Sequence, residues 1–71
     1  MCESDVTVKY NNTQEKFEEV IQLHIKGNSL TIVTIGGKRK TFTGFNGISF
    51  LNANFLSHKI EIELFGEVNV T

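Results

Sequence analysis

Polar and apolar residues alternate over Ser4–Tyr10, with Val6, Val8 and Tyr10 on one side and Asp5, Thr7 and Lys9 on the other. That alternation predicts a half-buried strand. Asn11-Asn12 follows as a turn, since asparagine tolerates positive φ. From Gln14 to Val20 two patterns compete. Asn12 with Glu15 three residues on has the form of a helix cap, and Phe17, Val20 and Ile21 fall at helical spacing. The alternation of Ile21, Leu23 and Ile25 that follows favours a strand, with a single helical turn as the alternative. Gly27-Asn28 is a two-residue hairpin turn into a strand over 29–35, and Gly36-Gly37 turns the chain into a strand over 38–43 with Phe42 facing inward. Gly44 and Gly47 bracket a bend at Phe45-Asn46. A fifth strand is expected over 48–52, a turn at Asn52-Ala53-Asn54, and a last strand over 58–65 with Ile60, Ile62 and Leu64 on one face. About six short strands joined by tight turns predict an all-β fold, a small antiparallel barrel of the SH3-like or OB-like kind.

Composition agrees with that pattern. Val, Ile, Thr, Phe and Tyr supply 27 of the 71 residues, and alanine occurs once. Branched and aromatic side chains fit a pleated surface, whereas helices favour alanine. The length allows one small domain, residues 1–71, which buries about 60% of its unfolded surface and is short of core. Such chains need a staple or a partner. A single cysteine makes no intramolecular disulfide, so the expected staple is a second chain or a metal. No apolar run approaches the roughly 18 residues of a membrane span, and no basic stretch leads into an apolar core at the N-terminus. A soluble, cytoplasmic protein is therefore expected. The net charge of −1 disfavours a strongly basic nucleic-acid binder, and 71 residues leave little room for a deep catalytic pocket.

Cys2 is the most informative residue. A lone cysteine is commonly a small buried hydrophobe, but chain ends are rarely core. Its thiolate and the neighbouring backbone nitrogens offer two donors; if Met1 is removed, the α-amine joins them, with a pKa of about 7.7–8.0. Sulfur and nitrogen donors one residue apart suit square-planar Ni(II) or Cu(II). A four-coordinate ion then needs a second arm, which a two-fold dimer supplies. His24 falls on the polar side of its strand and reads as a solvated residue. His58 shares the parity of Ile60 and Ile62, as a structural histidine at the rim or as a residue facing the metal. There is no Cys-x-x-Cys or closely spaced histidine pair of the kind that builds structural zinc sites.

Nucleophilic catalysis is not indicated: Cys2 and the histidines come with no oxyanion signature or third member. Gly36-Gly37-Lys38 lacks the glycine spacing of a phosphate loop and reads as a hairpin turn. Lys38-Arg39-Lys40 is the one basic run. It is either a solvated turn that guards a strand end, or an RNA-contacting tip with Phe42 and Phe45 nearby as stacking rings.

Met1-Cys2-Glu3-Ser4, the alternating Val6 and Val8, the Val20-to-Ile25 segment, Leu30, the 36–42 hairpin and His58-Lys59-Ile60 together resemble the CooT family across residues 1–64. The resemblance implies a homodimer of small SH3-like barrels that binds one Ni(II) between the chains through the cysteine after the initiator, here Cys2. It also implies a non-catalytic role in nickel delivery or storage, with carbon-monoxide dehydrogenase as client. Family members also carry the description "predicted RNA-binding protein", which gives the Lys38-Arg39-Lys40 turn its alternative reading. Residues 44–57 are longer than in the family pattern, and the 36–42 hairpin is basic where acidic residues are expected. The hydrogenase maturation protein HypC also begins Met-Cys, but continues with an apolar, proline-containing segment that Glu3-Ser4-Asp5 does not match.

Overall fold

A computed structural model describes residues 3–71. Seven strands follow one another: β1 (Ser4–Tyr10), β2 (Thr13–Lys26), β3 (Ser29–Thr34), β4 (Arg39–Thr43), β5 (Gly47–Asn54), β6 (Lys59–Phe65) and β7 (Asn69–Val70), with no helix among the described residues. They form one sheet in the order β5-β6-β1-β2-β3-β4-β7. The all-β expectation holds. The sheet is mixed rather than wholly antiparallel, because β1 and β6 run parallel, from Asp5 opposite Lys59 to Lys9 opposite Glu63. Among the described residues the ladder ends at β5 and β7 and does not close.

Two short connections show that the sheet is rolled. Residues 44–46 join β4 to β5, and residues 66–68 join β6 to β7, each pair lying five strand positions apart. Five positions on a flat sheet span about 24 Å, at about 4.8 Å per strand. Four residue steps reach about 14 Å at most. The two edges must therefore curl toward each other. Phe45 and Val68, one in each connection, are buried in the core with Val6, Val8, Phe17, Val20, Leu30, Ile32, Phe42, Ile62 and Leu64. Phe42 packs edge-on against Tyr10 at 5.1 Å and against Phe17 at 5.9 Å between ring centroids.

Curvature comes from β2. Its 14 residues pair first with β1 and then with β3, and the register slips on both sides of Val20. Glu19 takes φ 57 at this point. The inward residues are consequently Phe17, Val20 and Leu23, three apart instead of two. This is the spacing that imitates a helix in the sequence; the segment is strand throughout, and the helical turn does not form. The same irregularity throws Ile21 outward, against the expectation that it faces in with Leu23 and Ile25.

Turn chemistry accounts for most of the rest. Asn11 and Asn12 both have positive φ, as a two-residue hairpin turn requires. The β3–β4 turn closes with Gly37 N–H on the Thr34 carbonyl and Thr34 N–H on the Lys38 carbonyl, with Gly37 at φ 88. The turn expected at 52–54 is instead the end of β5, where Asn52 and Asn54 pair with Glu61 and Lys59. The chain reverses at 55–58, and the Asn54 Oδ1 accepts the N–H groups of Leu56 and Ser57.

Candidate metal centre

β1 lies inside the sheet, so its first residues have a neighbour on each side. Ser4 pairs with Val20 of β2, which in turn pairs with Thr34 of β3. On the other side Asp5 pairs with Lys59 and donates its N–H to the His58 carbonyl at 2.9 Å. Ser4 and Asp5 therefore lie between the irregular middle of β2 and the 55–58 turn. Cys2, the expected metal ligand, lies outside the described residues.

The structure does not bring the two histidines to one site. His24 stands exposed on the outer side of β2, opposite Thr31. His58 does not open β6 as expected. It is an exposed turn residue with φ 57, and its backbone carbonyl, not its ring, makes the contact with β1. Among the described residues no three of His, Cys, Asp and Glu form a group that would hold a metal ion.

The basic run is divided by the strand's pleat. Lys38 and Arg39 are exposed, whereas Lys40 shares a face with Phe42 and sits 3.6 Å from the Glu15 carboxylate. Phe42 and Phe45, expected as stacking rings, are 0% and 1% exposed and belong to the core, so neither offers a face to a base. The Glu15 carboxylate uses its other oxygen to accept the Tyr10 hydroxyl at 2.9 Å. Burial, with the Glu15 hydrogen bond and charge adding to it, pushes the Tyr10 hydroxyl pKa above its ordinary value. This Tyr10–Glu15–Lys40 cluster was legible in part, since Lys40 stands two residues from an inward Phe42.

A feature absent from the sequence reading is the apolar surface around the start of β1. Ile21 and Ile35 are about half exposed, Phe55 is 77% exposed and Leu56 is 96% exposed. Two large apolar residues inside a turn were the available signal.

Together these features describe a small, rolled all-β protein whose first strand lies inside its sheet. Among the described residues no helix is long and apolar enough to cross a membrane. The sequence profile described as CO dehydrogenase accessory protein CooT matches residues 1–63. The chain belongs to the CooT family of CO dehydrogenase accessory proteins. Searches of curated proteins and of solved structures returned no significant match.

Proposed function

We propose that this protein is a non-catalytic, cytoplasmic nickel carrier, a homodimer that holds one Ni(II) as cargo through Cys2 of both chains. The observation that carries the reading is the family match, which begins at residue 1 and so includes the Met1-Cys2-Glu3-Ser4 opening. A thiolate with an adjacent backbone nitrogen is a donor pair suited to square-planar Ni(II). One such pair fills half of a four-coordinate shell, and two-fold symmetry supplies the other half. The client would be carbon-monoxide dehydrogenase, with delivery or storage as the service.

Titration of Ni(II) into reduced protein tests this directly. The expected end point is half an equivalent per chain, with thiolate-to-nickel charge-transfer absorption. Cys2→Ser should abolish tight binding, because the serine hydroxyl stays protonated near neutral pH. His24→Ala and His58→Ala should weaken binding less. Wild-type nickel affinity in the Cys2→Ser protein would falsify the proposal.

A further inference from the structure

We propose that Asn46-Gly47 is a site of spontaneous modification, where Asn46 loses ammonia and becomes largely isoaspartate, and that the change loosens the seam between the two short connections. Of the seven asparagines, Asn46 alone precedes glycine, whose backbone nitrogen has no neighbouring Cβ to hinder its approach to the amide. Asn46 is exposed, and its amide lies against Gly66: a Cβ there would stand 2.9 Å from Asn46 Cγ and 3.0 Å from Nδ2. Asn11 and Asn54, by contrast, have their amides tied to Val68 and to the 55–58 turn.

The fold keeps the dipeptide and leaves it room to react. The Phe65 ring occupies the space beside Gly47, where a Cβ would stand 2.8 Å from Cε1 and 2.9 Å from Cζ, so any larger residue must displace the ring. Gly47 makes the first pair of β5, with Phe65, and a register irregularity between Ile48 and Phe50 separates that end from the longer run over 50–54. Strand ends beside such breaks open first, on small local free energies. Opening frees the Gly47 nitrogen.

The reaction needs only water. Gly47 N gives up its proton and attacks Asn46 Cγ; the new N–Cγ bond closes a succinimide ring, and the Cγ–Nδ2 bond breaks. Nδ2 leaves as ammonia, carrying off the proton. Water then opens the ring. Cleavage of N–Cγ gives aspartate, whereas cleavage between the nitrogen and the Asn46 backbone carbonyl carbon gives isoaspartate, with the chain running through Cβ and Cγ. The isoaspartate form has an added backbone atom between Asn46 Cα and Gly47. Asn46 N–H, 2.7 Å from the Phe65 carbonyl, and Gly47, paired with the same residue, then no longer fit together. The product also places a carboxylate in a stretch, residues 41–57, that has no Asp, Glu, Lys or Arg.

The test follows the folded full-length chain through incubation in mildly alkaline buffer, by intact mass and peptide mapping, beside a free peptide of residues 44–48. Asn46 should lose ammonia at a rate within about ten-fold of the peptide's, since strand ends open at small cost, and about ten-fold or more faster than any other asparagine. The rate should rise with pH, because the attacking nitrogen must lose its proton, and isoaspartyl methyltransferase should label the product. Asn46→Gln, whose longer side chain closes its ring far more slowly, should keep its mass. The isoaspartate form, separated by its extra negative charge, should unfold at lower urea than both fresh protein and Asn46→Asp, which carries the charge on an ordinary backbone. Asn46 left intact in the folded chain while the peptide converts, ammonia lost first elsewhere, or an isoaspartate form as stable as Asn46→Asp would each overturn the proposal.

Discussion

The side-chain amide of Asn11 binds both backbone polar groups of Val68: its Nδ2 donates to the Val68 carbonyl at 2.9 Å, and the Val68 N–H donates to its Oδ1 at 3.2 Å. The first turn of the chain thereby holds the last connection in place. Each neutral hydrogen bond contributes about 0.5–1.5 kcal/mol net. Asn11→Gly keeps the positive φ and loses the clamp, so urea unfolding should show a loss of about 1–3 kcal/mol. Asn11→Ala should lose a further 1–2 kcal/mol or so, because a Cβ opposes the left-handed backbone. Equal stability of the two variants would mean that the clamp, not the φ, sets the whole effect.

Tyr10 is the one tyrosine of a chain without tryptophan, so ultraviolet titration reads it alone. Its midpoint should lie above the ordinary value of about 10. Glu15→Gln should bring it down part of the way, since burial, the larger cause, persists. A raised folded pKa stabilises the protein below the unfolded pKa, and that stability is lost as pH rises through the folded one. Unfolding free energy should therefore fall above about pH 10, and Tyr10→Phe should flatten that limb. An unchanged slope in Tyr10→Phe would assign the alkaline loss to other groups.

Gly66 sits where the two short connections meet. It has φ 99, and a Cβ there would lie 2.8 Å from the backbone nitrogen of Asn46, whose N–H donates to the Phe65 carbonyl. Gly66→Ala should cost more than about 2 kcal/mol, from backbone strain and the broken seam together. Gly36 faces open space, and Gly36→Ala should change stability by no more than about 1 kcal/mol. Thermal melts of the pair would decide whether the seam is under this constraint.

The three basic residues should behave differently. Lys38→Ser and Arg39→Ser should shift stability by less than about 0.5 kcal/mol, as exposed substitutions do. Lys40→Ser should cost up to about 1 kcal/mol through its loss of Glu15. None should alter nickel stoichiometry. RNA binding that falls with salt, with a slope reduced by about 1.4 in the Lys38→Ser/Arg39→Ser protein, would revive a nucleic-acid role.

Local chemistry was readable where one rule acted alone. Val6 and Val8 alternate cleanly, Asn11-Asn12 turns, and Phe42 faces in. Reading failed where tertiary pairing overrode the local signal. Asn52 and Asn54 look like a turn, but β6 recruits them into a ladder and the reversal falls one step later, capped by Asn54 itself. Two register slips disguised β2, and the same slips exposed Ile21. Phe45 looked like a bend residue; only the rolled sheet gives it a core to enter. β7 is two residues long and has no pattern to read. The parallel partnership of β1 and β6 joins distant segments and leaves no local trace. The reading of Cys2 as a ligand rests on its position and the family resemblance alone, and the residue lies outside the described structure.

That parallel partnership shapes how the protein is made. β1 is translated first and finds β2 at once through the Asn11-Asn12 turn, but Asp5 must wait for Lys59. Until then one edge of β1 is bare, and Val6 and Val8 lack their β6 neighbours Ile60 and Ile62. Pairings this distant in sequence are slow to form and expose a nascent chain to aggregation. A transcript truncated before β6 should thus yield sticky, insoluble product rather than a smaller working protein, and folding in the cell should be largely an event that follows synthesis.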